Sequence, residues 1–119
     1  MTQPRDRLES AQNVWMATVR PRGRPHLVPV WFVVDDGRCY VCTSPDSVKA
    51  RNLQHNPRVA LALEDGTDPL VVEGEARPIS PSADVVRLFK DKFDWDITTA
   101  AEYSAVYEVK VTKQVLGHL

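Results

Sequence analysis

The amino-acid sequence predicts a mainly β fold, an antiparallel barrel of six strands with two or three helices at the connections. Six short runs are rich in the β-branched and aromatic residues that favour strands, and turn-forming residues separate them. One connection contains the Asp-Gly pair typical of hairpins, and two Ser-Pro pairs indicate helix starts between strands. A chain of 119 residues can enclose one hydrophobic core, so we expect a single domain over residues 1–119.

The N-terminal part is predicted to be a short helix followed by three antiparallel strands. The helix covers residues 4–12, and the strands cover 14–20, 26–34 and 38–43. Residues 21–24 and 35–37 form the connecting turns. Strands joined by such short turns pair with each other.

The C-terminal part is predicted to alternate helices and strands. Ser44 is suited to cap a helix and Pro45 to occupy its first position, where a missing N–H costs nothing. This helix is expected to end near His55, before a proline. The remaining elements are strands over 59–64, 70–76 and 103–111, and a helix from Ser80-Pro81 to about Phe93.

The second strand is apolar on both faces, which is unusual for an antiparallel strand. One face should contact the core, and the other a partner subunit or a flat ligand. The alternative is that barrel wall and helix cover both faces. Pro29 cannot donate a ladder hydrogen bond, which places that part of the strand at a sheet edge or a bulge.

Composition excludes several classes of function. The 15 basic residues against 16 acidic ones lack the basic excess of a nucleic-acid-binding protein. Residues 1–10 are charged and contain no apolar segment, and no apolar run approaches the ~20 residues of a membrane span. We therefore expect a cytoplasmic protein.

Cys39 and Cys42 form a C-x-x-C pattern, which is compatible with a redox pair or half a zinc site. There is no second cysteine pair, and His26, His55 and His118 lack metal-ligand spacing. Residues three apart in a strand point to opposite faces. The better interpretation is two buried thiols and no metal site.

Residues 43–53 join the third strand to a helix and could form an anion site. A helix N-terminus attracts anions, and hydroxyl and basic side chains surround this one. They are Thr43, Ser44, Ser47, Lys49 and Arg51. The alternative is a capped surface helix with solvated charges, whose dipole is already served by Asp46. The spacing of these residues alone does not favour one interpretation over the other.

Two smaller features bear on function. Glu73 and Glu75 share a strand face and are interpreted as solvent-facing, while Gly74 between them indicates a bulge or a close backbone approach. The basic hairpin tip, Arg20, Arg22 and Arg24, is a solvated turn or attracts an anionic ligand. No catalytic residue is assigned. If the reaction requires a proton, its donor is left open between solvent, Tyr40 and His26.

Several segments, taken in order, resemble the pyridoxamine-phosphate-oxidase-like split-barrel superfamily, and in particular actinobacterial proteins labelled probable deazaflavin (coenzyme F420)-dependent enzymes. They are VWMATVRPRGRPHLVPVWF (14–32), CTSPDSVKARNL (42–53), NPRVALALED (56–65), VVEGEA (71–76) and FDWD (93–96). The resemblance implies a six-stranded FMN-binding split barrel that forms a homodimer, with two cofactor sites at the subunit interface.

The resemblance also implies site residues. The cofactor phosphate would be held by Thr43, Ser44, Ser47 and Lys49, with Arg51 and Asn52 nearby. The tricyclic ring would lie along Val28, Pro29, Val30 and Trp31. Trp95 would reach the ring or the substrate pocket from the partner subunit.

The implied activity is that of an oxidoreductase in which reduced F420 or FMN delivers a hydride to a small unsaturated acceptor. The basic hairpin tip would suit the anionic tail of a deazaflavin, which favours F420 slightly. The alternatives are a non-catalytic carrier of flavin, deazaflavin or haem, and a dimeric barrel without a cofactor.

Overall fold

A computed structural model describes residues 4–99 and 101–117. The helices are α1 (Pro4–Ser10), α2 (Val48–His55) and α3 (Ala83–Phe93), with a single 3₁₀ turn at Ala101–Tyr103. The strands are β1 (Asn13–Val19), β2 (Pro25–Trp31), β3 (Val33–Asp35), β4 (Arg38–Thr43), β5 (Arg58–Ala62), β6 (Val71–Ile79) and β7 (Ala105–Leu116). Of these helices, none has the length and apolarity that a membrane crossing requires.

The strands form one antiparallel sheet in the order β2-β1-β5-β6-β7-β4-β3, which confirms the predicted architecture with seven strands instead of six. The difference arises because the predicted second strand is divided at Phe32. Before Phe32 the chain pairs with β1, and after it with β4, so this residue joins the two edges of the sheet. The Phe32 carbonyl accepts a hydrogen bond from Lys92 Nζ at 2.9 Å instead of from a strand. Pro29 lies on the edge strand β2, as predicted.

The core has two clusters, one on each side of the β4 segment of the sheet. The larger cluster includes Met16, Phe32 and Leu61, and the smaller one lies between α3 and the sheet around Phe89. Cys39 belongs to the larger cluster, whereas Cys42 packs against the smaller one.

The two thiols therefore point to opposite faces, as predicted, and both are free. Burial raises the pKa of Cys39 to about 11 and that of Cys42 to about 12. Cys42 is only half-buried, which differs from the prediction.

The predicted start of the last helix is wrong by two or three residues. Strand β6 continues to Ile79, so Ser80-Pro81 belongs to the connection. Ser82 caps α3, and its hydroxyl accepts a hydrogen bond from the Val85 N–H at 3.2 Å. The last strand is also longer than predicted and reaches Leu116.

Gly74 lies at a close backbone approach of β6 to β7, which is one of the two features predicted for it. The register of β6 against β7 shifts between Glu73 and Gly74. A methyl group on Gly74 would overlap the Lys110 carbonyl oxygen, and would lie 3.0 Å from its carbon. Glu73 and Glu75 are both exposed, as interpreted from the sequence.

A buried carboxylate, that of Glu108 near the start of β7, connects three strands. Glu108 accepts hydrogen bonds from Arg38 Nη1 at 2.7 Å, Arg77 Nε at 2.9 Å and Tyr40 Oη at 2.9 Å. Burial alone would raise the pKa of Glu108, but these three bonds outweigh it and hold the pKa below its ordinary value. The ionised carboxylate is therefore a stabilising element that joins β4, β6 and β7.

Replacing Glu108 with glutamine should lower the free energy of unfolding by about 1–2 kcal/mol at neutral pH, because Arg38 and Arg77 lose a charged acceptor but remain partly solvated. The lowered pKa makes this contribution complete above the ordinary carboxyl pKa and lost as pH falls through the folded-state value. Urea unfolding of wild type and E108Q from pH 7 to pH 3 should therefore converge in acid. Exposed Glu73→Gln is the control, and a gap between wild type and E108Q that persists unchanged at pH 3 would contradict this account.

Candidate functional site

A cavity of about 580 Å³ lies between the edge strand β2, the start of α2 and the segment that follows α3. Its volume is in the range of small-molecule sites, and its wall combines aromatic rings with a few polar groups. The lining residues are Pro29, Val30, Trp31, Cys42, Thr43, Lys49, Phe93, Asp94, Trp95 and Tyr103.

The N-terminus of α2 borders this cavity, and it begins three residues later than predicted. Ser47, not Ser44, is the cap: its hydroxyl accepts a hydrogen bond from the Ala50 N–H at 3.2 Å. Ser44 instead stabilises the preceding turn by accepting from the Asp46 N–H. Asp46 thus lies outside the helix, and no acidic residue occupies the first turn. The objection that an aspartate already serves this helix dipole is removed.

The hydroxyl groups at this turn are arranged in a short chain. Thr43 Oγ1 is buried and donates to Ser47 Oγ at 3.1 Å. The Ser47 hydroxyl accepts in both of its hydrogen bonds, so its own hydrogen remains for another acceptor. Together with the N–H groups of Val48 and Lys49, which have no carbonyl partner inside the helix, it provides donors for an anion.

Lys49 lies in the first turn of α2 and lines the cavity. It is half-buried, and this burial lowers its pKa. Within the described part of the chain, Lys49 forms no ion pair. A cation in the first helical turn is disfavoured by the helix dipole, and partial burial without an anion adds to the cost. A bound anion would offset both effects.

The opposite wall of the cavity is aromatic. Trp31 stacks on Phe93 with ring centroids 4.5 Å apart and an interplanar angle of 5°. Trp95 meets Trp31 edge-on at 6.0 Å, and Tyr103 meets Trp95 at 5.7 Å. Trp31 and Tyr103 are nevertheless 46% and 48% exposed, so this wall presents open ring surface. Trp95, which the resemblance assigned to the partner's site, here packs against Trp31 of its own chain.

Six of the predicted site residues line this one cavity: Pro29, Val30, Trp31, Thr43, Lys49 and Trp95. Ser47 is connected to it through Thr43. The other four do not line the cavity: Val28 of β2 is half-buried against the larger core cluster, Ser44 is in the turn, Arg51 is exposed, and Asn52 is buried.

Four lining residues were not predicted. Cys42 precedes Thr43 at the end of β4, and Phe93 and Asp94 follow from the end of α3. The FDWD motif was a signal for Phe93 and Asp94, whereas nothing local in the sequence marks Tyr103. Asp94 is the left-handed cap of α3, and its carboxylate is paired with Lys90 at 2.6 Å.

Asn52, which is predicted to lie near the cofactor phosphate, makes a structural contact with β1. Its Nδ2 donates to Thr18 Oγ1 at 2.9 Å, and both residues are about 1–2% exposed. Since Thr18 is in β1 and Asn52 in α2, this bond fixes the helix to the sheet.

Replacing Asn52 with alanine should lower the free energy of unfolding by about 1–3 kcal/mol, because the Thr18 hydroxyl loses its partner. Exposed Gln54→Ala on the same helix should change it by less than about 0.5 kcal/mol. Denaturant unfolding measures both. If the hydrogen bond is responsible, the double variant N52L/T18V, which replaces both partners with apolar side chains, should recover much of the loss. A double variant that loses as much stability as the N52L and T18V single variants added together would contradict this.

Of the two proton donors considered from sequence, Tyr40 is directed elsewhere. Burial, which is the larger cause, and the hydrogen bond that its hydroxyl donates to Glu108 together raise the pKa of Tyr40 to about 12. Tyr40 does not line the cavity. At the basic hairpin tip, Arg20 donates to the Pro25 carbonyl oxygen at 2.7 Å, while Arg22 and Arg24 are exposed.

The outer face of β2, β1 and β5 is a continuous apolar surface. Strand register places Trp15 opposite Pro29 and Ala62, and Ala17 opposite Leu27 and Ala60. Directly opposite residues of paired strands share a face. Leu27 and Trp15 are 58% and 37% exposed on it. We call this the β2 face; its residues are Trp15, Ala17, Leu27, Pro29, Trp31, Ala60 and Ala62.

Comparison with known proteins supports the resemblance seen in the sequence. The chain matches the family described as pyridoxamine 5'-phosphate oxidase over residues 2–115. Among curated proteins, none matches this chain.

Several solved structures share the fold. A structure described as an F420 reductase is 25% identical, with a TM-score of 0.76, and the match covers 97% of this chain and 98% of that one. The haem storage protein HutZ of Vibrio cholerae is 20% identical with a TM-score of 0.74, covering 95% of this chain and 93% of its own. A haem-binding protein of Mycobacterium smegmatis is 22% identical with a TM-score of 0.73, covering 93% of this chain and 52% of that chain. With the split-barrel fold confirmed, this protein belongs to the pyridoxamine 5'-phosphate oxidase family.

Proposed function

We propose that this protein is an oxidoreductase that binds coenzyme F420 or FMN in the cavity beside β2 and reduces a small unsaturated acceptor. The observation that carries the proposal is Lys49, a half-buried cation without an ionic partner among the described residues, at a helix N-terminus that opens on an aromatic cavity. A phosphate-bearing planar cofactor combines the anion and the ring that these two features require.

The residues present fit such a group. Lys49, the Ser47 hydroxyl and the first-turn N–H groups of α2 would bind the phosphate. The β2 segment at Pro29–Trp31 would lie along the ring system, where the edge strand leaves backbone groups available. The similarity to a structure described as an F420 reductase supports the same class of cofactor.

When bound, a reduced deazaflavin or flavin supplies the hydride, which is the chemistry that protein side chains lack. The chain would contribute orientation and a water-poor environment. Trp31, Phe93 and Trp95 would exclude water from the ring face. Tyr103 carries the hydroxyl of the aromatic wall and, with solvent, is the source of a proton at the cavity.

Flavin-type cofactors fit this cavity better than haem does. Haem iron requires an axial His, Cys, Met or Tyr ligand. Among the described residues, the cavity lining contains no histidine or methionine, and burial raises the pKa of Cys42 to about 12, which disfavours the thiolate. Tyr103 is the one remaining ligand type in that lining. Between F420 and FMN, the exposed arginines of the hairpin tip favour the cofactor with an anionic tail.

The proposal includes a homodimer built on the β2 face. This face presents exposed apolar residues on β2 and β1, beside half-buried alanines of β5, and Pro29 and Trp31 belong both to it and to the cavity lining. A second copy covering the face would bury apolar surface and complete the cavity wall in one step.

Introducing a charge at Leu27 (L27E) should shift the protein to monomer and weaken cofactor binding, because a carboxylate on the covered β2 face would be desolvated without a partner. Sedimentation velocity measures the first effect and cofactor titration the second. Val115→Glu, at an exposed apolar residue of β7, is the control. A dimeric L27E with unchanged affinity, or a monomeric wild type, would refute this interface.

The proposed function is tested by titrating the purified protein with FMN and with coenzyme F420 while following the fluorescence of Trp31 and Trp95. Saturable quenching at micromolar concentrations by one of them, followed by turnover of its reduced form with an unsaturated acceptor, is the expected result. Binding without turnover over a wide panel of acceptors would favour a carrier. Failure of both cofactors to bind would overturn the proposal.

A further inference from the structure

His26 occupies an unusual position on β2, opposite Thr18 of β1. Its Nδ1 atom is shielded from solvent and makes no hydrogen bond within the described structure. The neighbouring Thr18 hydroxyl is already engaged by Asn52. This imidazole therefore carries an unsatisfied polar atom in the region where β2 and α2 approach each other.

The charged groups that act on His26 are both cationic. Arg20 is at the end of β1, beside the hairpin that leads into β2, and Lys49 is in the first turn of α2. Thr18 and Asn52, which face the same region from β1 and α2, are neutral. Lys49 is also the cation that lines the cavity. One lysine is thus shared between the imidazole and the proposed phosphate position.

We propose that His26 takes up a proton when a phosphate-bearing cofactor binds beside Lys49, and so acts as an additional, pH-dependent positive charge that positions the phosphate. This inference rests on the proposed function and adds to it a proton linkage. The balance is simple: the imidazole gains one proton from the buffer, and no other bond is formed or broken.

Electrostatics gives the direction of the effect. In the free protein, burial first, then Arg20 and Lys49, lower the pKa of His26, so the imidazole is neutral at neutral pH. A phosphate monoester brings a charge of about −1.5 to −2 next to Lys49 and reverses the sign of the local field. The imidazolium is then favoured, and both of its nitrogens become donors.

Linkage fixes how the affinity varies with pH. Since binding raises the His26 pKa, the gain in affinity is absent above the bound-state pKa and complete below the free-state pKa. A rise of about one unit in the pKa of His26 corresponds to a gain of roughly tenfold in affinity. The monoester phosphate of FMN itself titrates near pH 6 and weakens binding in acid, so the informative quantity is the ratio of wild-type to variant affinity at each pH.

The experiment uses the whole protein with FMN and coenzyme F420 as probes, and riboflavin as the phosphate-free control. Dissociation constants are measured between pH 5 and pH 8.5 for wild type, His26→Gln and His55→Gln. His55 is an exposed histidine of the same helix as Lys49, and therefore a matched control. Calorimetry in two buffers of different ionisation enthalpy counts the protons taken up, and NMR titration of the imidazoles reports His26 in unmutated protein.

For the probe that binds more tightly, we expect H26Q to bind about tenfold more weakly than wild type at pH 5.5 and equally at pH 8.5. Wild type and H55Q should take up a fraction of a proton near pH 6.5 that H26Q does not, and the His26 resonance should titrate at higher pH in the complex. Riboflavin affinity should be the same in wild type and H26Q. Binding of FMN or F420 with a constant wild-type to H26Q ratio, and an unmoved His26 titration, would overturn the inference alone. Absence of binding by both probes would overturn the proposed function, and the inference with it.

Discussion

Replacing Gly74 with alanine should destabilise the protein by about 3 kcal/mol or more, the largest stability effect that we expect from a single methyl group. The added carbon would overlap the backbone carbonyl oxygen of Lys110 and lie 3.2 Å from Val111 Cα. Backbone atoms of a neighbouring strand cannot rotate away as a side chain can. β6 and β7 would have to separate where the register already shifts. Denaturant unfolding followed by circular dichroism measures the loss.

Gly66 provides the matched control for this prediction. It lies in the turn between β5 and β6, and a methyl group there would meet no atom within 4 Å. Gly66→Ala should therefore change the free energy of unfolding by less than about 0.5 kcal/mol. Equal stability of the two alanine variants would show that the strands adjust at Gly74 and that the close approach is not a constraint.

Gly74 also shows what a sequence can reveal about a sheet. A glycine within a run of strand formers indicates a bulge or a close approach, and this signal is local. The hairpin turns and the strand character of the chain were predictable for the same reason. The division of the second strand at Phe32 was not, because residues 27–34 are apolar throughout. It results from closure of the sheet, in which β2 and β3 pair with strands that lie far apart in the strand order.

The start of α2 illustrates a second limit. Ser44 and Ser47 are three residues apart, and each can cap a helix. The sequence favoured Ser44 because Pro45 follows it. In the structure Ser44 stabilises a turn and Ser47 caps the helix, which moves Asp46 out of the first turn. This small shift changes the electrostatics of the site, since it places Lys49, and not Asp46, in the first turn of the helix.

The composition of the cavity was partly predictable. The β2 residues and Lys49 were identified, although their roles as ligands of a cofactor remain a prediction. The aromatic wall was beyond local patterns, because Phe93, Trp95 and Tyr103 come together only when the segment after α3 folds over Trp31. Adjacent residues of a helix point in different directions, so Arg51 is exposed while Asn52 is buried against Thr18, and their predicted place near a cofactor stays a prediction.

Replacing Lys49 with methionine should weaken binding of the phosphate-bearing cofactor by about 10- to 100-fold, the largest functional effect that we expect. A hydrogen bond to a charged group contributes roughly 1.5–3 kcal/mol, and each 1.4 kcal/mol corresponds to about a tenfold change in affinity. Titration with FMN and with F420 measures the loss. Riboflavin, which has the ring but no phosphate, should bind wild type and K49M equally.

The stability of K49M distinguishes a binding residue from a structural one. Lys49 is half-buried in the first turn of a helix and has no ionic partner among the described residues, so its charge does not stabilise the free protein. Methionine keeps the aliphatic length and removes the charge. The free energy of unfolding should therefore be unchanged or higher while affinity falls, a combination that loss of structure cannot produce. Lys113→Met, at an exposed lysine of β7, should change neither the free energy of unfolding nor the affinity. If K49M bound FMN and F420 as wild type does, Lys49 would be a solvated charge and the anion site would lie elsewhere.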